Sequence, residues 1–175
     1  MPTWIFEPGH TAAEFRARHM MVSWVRGHFK DVHGTLEFDP DNPVRLSLET
    51  TIQAHTLWTG EPQRDNHLRS PDFLDVENFP RLTFVSTGVS KRSDSDFAVT
   101  GDLSIHGVTR KVTFDFEELS APQRDPWGNQ RIGLSGTTKI NRKDYGLTWN
   151  TALETGGFLV GDEVTITLDV QFVKS

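Results

Sequence analysis

Hydrophobic and polar residues alternate with a period of two along much of this chain. Successive side chains of a β-strand point to opposite faces of a sheet, so this alternation is typical of a strand with one buried face. The clearest example lies near the C-terminal end, where Val164, Ile166 and Leu168 begin a series of apolar residues separated by polar ones. β-branched residues, which favour strands, are frequent there. We therefore predict a half-buried strand over residues 164–172.

Four further segments repeat the alternation, and several of their inward positions carry small residues. These segments are residues 44–52 with Thr50, 97–105 around Gly101, 112–116, and 132–140 with Gly136 and Thr138. Turn-forming residues separate such segments at positions 39–43, 93–96 and 106–107. The pattern predicts about eight strands at hairpin spacing, which favours an antiparallel barrel or sandwich. An eight-stranded barrel either packs solid or holds one small ligand, and the small inward residues favour a barrel that holds one.

One stretch between two predicted strands has helical signals, and it covers residues 60–78. Pro62 stands where a proline fits the first turn of a helix, and a second start is predicted at Ser70, which is followed by Pro71 and Asp72. An insertion of this length in a hairpin connection is usually a lid or a binding element. We therefore predict a helical insertion that takes part in ligand binding.

Composition and charge narrow the function further. The chain has 175 residues with 35% apolar residues, which predicts one domain spanning residues 1–175. Cysteine is absent, which excludes disulfides, thiolate catalysis and zinc ribbons. The formal net charge of −6 argues against a nucleic-acid partner. No stretch of about 18 apolar residues predicts a membrane span, and no signal-peptide pattern is present, so a cytoplasmic location is expected.

Candidate chemistry is sparse. The seven histidines lack the close spacing of metal ligands, and no nucleophile elbow or phosphate-binding glycine loop occurs. Arg142 and Lys143 form either a structural salt bridge or a contact with an anionic headgroup, since guanidinium matches phosphate geometry. The 12 phenylalanines and 5 tryptophans mostly suit core packing. Met21, Trp24 and Phe73, together with Met20, either line a pocket or plug a core.

Ordered motifs along almost the whole chain resemble the YceI-like, polyisoprenoid-binding proteins. The matching blocks, in order, are Phe15-x-Ala17-x-His19-Met20, Ser23-Trp24-Val25-x-Gly27-x-Phe29-Lys30, His33-Gly34-Thr35-Leu36, Arg64-Asp65-x-His67-Leu68-Arg69-Ser70-x-Asp72-Phe73-Leu74, Phe79-Pro80-x-Leu82-Thr83-Phe84-x-Ser86-Thr87, the segment Gly101-Asp102-Leu103-Ser104-Ile105-His106-Gly107-Val108-Thr109, and Asn141-Arg142-x-Asp144-Tyr145-Gly146. The resemblance implies an all-β fold, an extended eight-stranded antiparallel lipocalin-like barrel. Its elongated apolar interior would hold a long isoprenoid chain, with the helical insertion near the mouth.

The expected function is therefore binding, and carriage or sequestration, of a long-chain isoprenoid such as a polyprenyl phosphate or a prenylated quinone or quinone precursor. No cofactor is expected apart from this lipid, and a homodimer is compatible with the sequence. The alternatives are an enzyme acting on a hydrophobic isoprenoid-type substrate, with His19 or His67 as base, and an interaction protein whose barrel is packed shut. The candidate ligand-binding residues are His19, Met21, Trp24, Phe29, His67, Phe73, Phe84, Gly136, Arg142 and Trp149.

Overall fold

Twelve β-segments form one antiparallel sheet in the computed structural model, which describes residues 2–39, 41–42, 44–153 and 159–175. The strands are β1 (Thr3–Phe6), β2 (Ala12–His19), β3 (Ser23–Phe29), β4 (Val32–Glu37), β5 (Ser47–Gln53), β6 (Leu57–Trp58), β7 (Arg81–Lys91), β8 (Phe97–Ile105), β9 (Val108–Glu117), β10 (Gln123–Arg124), β11 (Gln130–Asn141) and β12 (Val160–Lys174). One α-helix, α1 (Pro62–Arg69), and the 3-10 turns Pro8–His10, Ala54–Thr56 and Arg142–Tyr145 complete the elements.

The segments combine into eight long strands that close into a barrel. β12 pairs with both β1 and β2. On the other side, β1 pairs with β4 and β4 with β5, whereas β2 pairs with β3 and β3 with β6. Three of the long strands therefore each have a short interruption: one consists of β1 and β2, another of β3 and β4, and the third of β5 and β6. β7, β8, β9 and β11 follow as neighbours, and the pairing of β11 with β12 closes the ring. The predicted eight-stranded antiparallel barrel is confirmed.

Most strand predictions coincide with observed strands, and one begins later than its pattern suggests. β5 starts at Ser47, so Val44 and Leu46 precede it, and Val44 is 48% exposed. The tight turn at His106 and Gly107 is present, with φ of 55° and 73°, and it connects β8 directly to β9. Of the predicted turn at residues 39–43, Pro40 and Pro43 lie outside the described residues.

The insertion between β6 and β7 contains one helix instead of two. α1 begins at Pro62, and the Glu61 side chain accepts a hydrogen bond from the Gln63 amide. Ser70, expected to start a second helix, instead ends the first one, because its hydroxyl and its amide both donate to the His67 carbonyl at 2.6 and 3.1 Å. The residues that follow form turns at positions 71–74 and 76–78, and Asp75 between them has a φ of 49°.

Phenylalanine rings occupy the space above the inward glycines of the barrel wall. Phe116 lies against Gly136, its direct cross-strand neighbour, and a Cβ atom at Gly136 would overlap the ring. A Cβ atom at Gly101 would come within 2.6 Å of the Phe84 ring, and one at Gly34 would come within 2.9 Å of the Phe6 ring. These glycines therefore accommodate aromatic rings and do not themselves leave the interior empty.

The barrel interior divides into a solid half and a hollow half. Large side chains pack the solid half against one another, as in the edge-to-face pair of Phe6 and Phe172 with ring centroids 4.9 Å apart. Its other fully buried members include Trp4, Phe38, Phe97 and Phe116. None of these residues lines the cavity described below.

Substitution of Gly136 by alanine should lower the free energy of unfolding by about 1–3 kcal/mol, because the new methyl group overpacks against Phe116. Chemical denaturation would measure this change. Gly88→Ala is the matched control in β7, where a Cβ atom meets nothing within 4 Å, and it should be neutral or slightly stabilising. Equal losses in both variants would contradict the assigned packing.

Candidate ligand cavity

An apolar cavity of about 160 Å³ occupies the hollow half of the barrel. Alternate residues of β2 contribute Ala13, Phe15 and Ala17 to its wall, and the start of β12 contributes Val160 and Val164. The polar or charged residues among those that line it are Glu14, Thr50, Thr83 and Arg142. A cavity of this character excludes water and favours hydrocarbon.

Aromatic rings form the floor of the cavity. Phe84 and Phe114 pack edge to face with ring centroids 5.0 Å apart, and both line the cavity. Phe116 lies beyond them, 5.7 Å from Phe114, and belongs to the solid half. Because Phe84 also lies over Gly101, the floor is held by backbone as well as by side chains.

The mouth of the cavity is covered by residues of the insertion. Leu68 at the end of α1 and Phe73 and Leu74 of the following turns line the cavity from this side. Phe73 is 7% exposed and lies in a cluster of three rings with His67 and Trp149. The ring centroids are 5.0 Å apart for His67 and Phe73, 4.6 Å for His67 and Trp149, and 5.3 Å for Phe73 and Trp149.

Polar side chains fasten α1 to β6 and the residues beside it. The Asp65 carboxylate is buried and accepts hydrogen bonds from the Thr59 amide and hydroxyl. The Arg69 guanidinium donates to the carbonyls of His55 and Leu57 at 2.9 and 2.5 Å. The block from Arg64 to Ser70 therefore holds the helix in place, while the turns that carry Phe73 follow it.

On the side of the mouth opposite the insertion, Arg142 connects the segment 147–149 to the start of β12. Its guanidinium donates to the carbonyls of Leu147 and Trp149 at 2.6 and 2.9 Å and to that of Gly161 at 2.9 Å. Burial lowers the pKa of Arg142 below its usual value, and the negative charge of nearby Asp162 opposes only part of this effect. Since its donors are engaged by carbonyls, this side chain positions Trp149 and the start of β12. A contact with a ligand headgroup stays a prediction for this residue.

His67 lies outside the cavity, behind Phe73. Its Nε2 atom is 2.9 Å from an Asp72 carboxylate oxygen, which fixes the orientation of the ring. The imidazole is 38% exposed and therefore in contact with solvent. It can meet a polar group at the mouth, but Phe73 separates it from the apolar wall.

The structure brings together some of the predicted ligand-binding residues and separates others. Phe29, Phe73, Phe84 and Arg142 line the cavity, and His67 and Trp149 stand against Phe73. The remaining four do not line it, and they are His19, Met21, Trp24 and Gly136.

Two features of the fold explain this separation. Met21 lies in the turn of the β2–β3 hairpin, past Ala17, the last cavity-lining residue of β2. Trp24 lies in β3 opposite Arg18, on the outer face of the sheet. His19 is the last residue of β2 and pairs with Val160 at the mouth. Gly136 belongs to the solid half, where Phe116 fills the space that the small residue was expected to leave for a ligand.

Several cavity residues were absent from the candidate set. Ala13 and Ala17 alternate with longer side chains along β2, and this pattern of small inward residues could have indicated space. Leu147 and Val160 lie outside any clear alternation and carry no such signal. Thr50 was predicted to point inward, and this is confirmed, since it is buried and lines the cavity. Its hydroxyl has no hydrogen-bond partner.

Substitution of Thr50 by valine should raise the free energy of unfolding by about 1–2 kcal/mol, because an unpaired buried hydroxyl is costly. Thr138→Val is the matched control, since the Thr138 hydroxyl donates to the Thr113 carbonyl at 2.8 Å and its loss should destabilise the protein by about 1 kcal/mol. Denaturant titrations of both variants would measure the two signs. Destabilisation by Thr50→Val would indicate that the hydroxyl has a partner in solution.

Two further observations concern cofactors and membranes. Within the described ranges, no group of three or more His, Asp or Glu side chains is arranged to hold a metal ion. In the same part of the chain, no helix has the length and apolar character needed to cross a membrane.

Sequence comparisons identify relatives over most of the chain. The family described as the YceI-like domain matches residues 4–172. Protein YceI of Salmonella newport (strain SL254) is 41% identical over 142 residues, covering 81% of this chain and 73% of the relative. A YCEI protein from Campylobacter jejuni has a crystal structure that matches with a TM-score of 0.77 at 28% identity, covering 90% of both chains.

Two more distant structures show the same fold. Burkholderia cenocepacia BcnA matches with a TM-score of 0.82 at 22% identity, covering 95% of this chain and 98% of its own. A polyisoprenoid binding domain from Saccharophagus degradans, implicated in plant cell wall breakdown, matches with a TM-score of 0.71 at 13% identity, covering 99% and 98%. At these identities the likeness concerns the fold alone.

Proposed function

The chain belongs to the YceI-like domain family, and on that premise we propose that it binds a long-chain isoprenoid lipid, tail first, in the barrel cavity. The single observation that carries the proposal is the apolar cavity, which has an aromatic floor and is lined by the insertion on the opposite side. The protein would carry or sequester the lipid without changing it chemically. The Saccharophagus degradans neighbour is named as a polyisoprenoid binding domain, which supports the same ligand class for this fold.

The cavity favours a hydrocarbon tail over a polar headgroup. Each isoprene unit has five carbons, and at about 0.8 kcal/mol per buried CH₂ it gains roughly 3–4 kcal/mol on leaving water. A charged headgroup would find mainly aliphatic and aromatic carbon along the wall, and Arg142 already donates to carbonyls. The headgroup is therefore assigned to the mouth, beside His67 and Trp149.

The size of the cavity requires the mouth to move when a long chain binds. A cavity of about 150 Å³ accommodates one benzene molecule, so 160 Å³ suits little more than one isoprene unit. Phe73 and Leu74 lie on turns outside the sheet, whereas α1 is fastened to β6 by Asp65 and Arg69. We assign the movement to the turns after Ser70, which would swing away while α1 stays in place. This movement requires the amides of Leu74 and Val76 to release the carbonyls of Leu68 and Arg69, to which they donate at 3.0 and 3.1 Å.

Narrowing the cavity should abolish lipid binding without unfolding the barrel. Ala17→Phe places a ring among cavity-lining residues, whereas Ala12→Phe adds the same ring to β2 at a position outside the lining. Solvent extraction of the freshly purified proteins, followed by mass spectrometry, should yield fragments that differ by isoprene units from the native protein and from Ala12→Phe. The extract of Ala17→Phe should contain none.

Equal recovery of the same lipid from both variants would place the binding site elsewhere. Thermal denaturation confirms that each variant is folded before the extracts are compared. A further experiment loads the native protein with a prenyl lipid and looks for a product. Conversion of the lipid would favour the alternative function, an enzyme with His67 as base, over a carrier. His67→Gln would then remove turnover and retain binding.

Removing the Phe73 ring should speed lipid release by about tenfold or more, because tenfold corresponds to only about 1.4 kcal/mol and Phe73 closes the mouth. Phe79→Ala is the matched control, since Phe79 packs on His106 at 4.7 Å and does not line the cavity. Release of a fluorescent prenyl probe into excess unlabelled lipid would be followed by stopped flow. Identical release rates in Phe73→Ala and Phe79→Ala would contradict the assignment of the mouth.

A further inference from the structure

The turn of the β2–β3 hairpin exposes an unusual concentration of large apolar side chains. Met20, Met21 and Val22 are 44%, 58% and 79% exposed, and Trp24 is 39% exposed. We refer to residues 19–24 as the hairpin tip. Single exposed apolar residues are common on protein surfaces, but a contiguous group of this size is typical of a contact surface.

Two residues of the hairpin tip have an unfavourable backbone conformation. Met20 and Met21 have φ of 53° and 59°, in the left-handed region where glycine and asparagine are favoured. The Val22 amide donates to the His19 carbonyl at 3.0 Å, and the Met20 amide donates to the Leu159 carbonyl at 2.8 Å. Methionines held there cost stability, which suggests that their side chains are kept for a purpose other than folding.

Three arginines stand directly behind the hairpin tip on the outer face of the sheet. Arg16 and Arg26 are cross-strand partners, and Arg18 is paired with Trp24. The guanidinium carbons of Arg16 and Arg18 each lie 4.6 Å from the centre of the Trp24 ring. In the described part of the chain, no carboxylate lies within 4.0 Å of a nitrogen of these arginines, although Glu14 lies two residues before Arg16 in β2.

This concentration of positive charge contrasts with the rest of the molecule. The chain has a formal net charge of −6, yet two arginines face each other across the hairpin. Like charges directly opposite one another destabilise a sheet, so an anionic partner would relieve the repulsion. A second copy of this chain in a two-fold dimer would instead bring the same arginines together.

We propose that the hairpin tip docks this protein on an anionic lipid bilayer. Met20, Met21 and Val22 enter the region of the acyl chains next to the headgroups, and Trp24 lies at the level of the headgroups, where tryptophan is favoured. Arg16, Arg18 and Arg26 then meet the lipid phosphates.

The hairpin tip is close to the mouth of the cavity. His19 pairs with Val160, which lines the cavity, and Ala17 lines it two residues earlier. Docking would thus bring the mouth to the surface from which a lipid tail is extracted. The purpose of docking rests on the proposed function, but the docking itself does not require a lipid in the cavity.

Vesicle sedimentation tests the proposal with the full chain. The native protein should bind vesicles of phosphatidylcholine and phosphatidylglycerol and bind weakly to phosphatidylcholine alone, and added salt should weaken the binding. The double variant Met21→Asn, Val22→Ser should reduce the partition coefficient about tenfold, a change of about 1.4 kcal/mol. Trp127→Ser removes another highly exposed apolar side chain, 79% exposed, and should have no effect.

A second pair of variants tests the charges. Arg16→Gln, Arg18→Gln should reduce binding to the anionic vesicles about tenfold or more, whereas Arg110→Gln, Lys111→Gln removes the same charge elsewhere and should change binding little. Failure of the native protein to bind anionic vesicles would overturn the proposal, as would equal binding by all of these variants. A dimer in light scattering that becomes monomeric in Met21→Asn, Val22→Ser would assign the hairpin tip to self-association instead.

The Ala17→Phe variant separates this proposal from the proposed function. With the cavity narrowed and the hairpin tip unchanged, it should bind anionic vesicles as the native protein does and yield no prenyl lipid on extraction. Loss of vesicle binding in this folded variant would overturn independent docking by the hairpin tip. Prenyl lipid in its extract would instead overturn the cavity assignment and leave docking intact.

Discussion

Closure of the sheet between β11 and β12 is the constraint on which the rest of the structure depends. The two strands pair without interruption from Arg131 opposite Val173 to Asn141 opposite Glu163. Closure removes the free edges of the sheet and fixes the width of the interior. At eight strands this width is just enough for side chains to fill. Whether a given level is solid or hollow therefore depends on which side chains point inward there.

The inward side chains use this width differently at the two ends of the barrel. Toward β1 and the end of β12, large rings such as those of Phe6 and Phe172, which are neighbours on paired strands, pack edge to face, and neither of them lines the cavity. Toward β2 and the start of β12, Ala13 and Ala17 are too short to reach across. The strands form only the side wall of the barrel, so this end of the interior is covered by the insertion and by the residues that Arg142 positions. The mouth is consequently the part of the wall that depends least on sheet hydrogen bonds.

Local patterns in the sequence predicted the strands, because alternation depends only on which face of a strand is buried. They left a barrel and a sandwich open, and the barrel was expected from the resemblance to the YceI-like proteins. The same patterns could not predict how the interior is filled, since that depends on cross-strand register. Gly136 was expected to leave space, but its partner across the strand is Phe116. Trp24 was a candidate pocket residue, but it lies opposite Arg18 on the outer face of the sheet, where its ring packs against Arg16 and Arg18. Phe73 was identified from its place on the insertion, which the motif around His67 supported.

The order of strands around the barrel also determines when the interior is sealed during folding. Neighbouring strands are mostly consecutive in the chain, so hairpins such as β8–β9 can form early from local contacts. β12 is different, because it pairs with β1 and β2 from the other end of the chain as well as with β11. Until β12 has been synthesised, the inner face of the growing sheet is exposed to water. We therefore expect the chain to be most prone to aggregation during synthesis before β12 is available to pair with β1, β2 and β11.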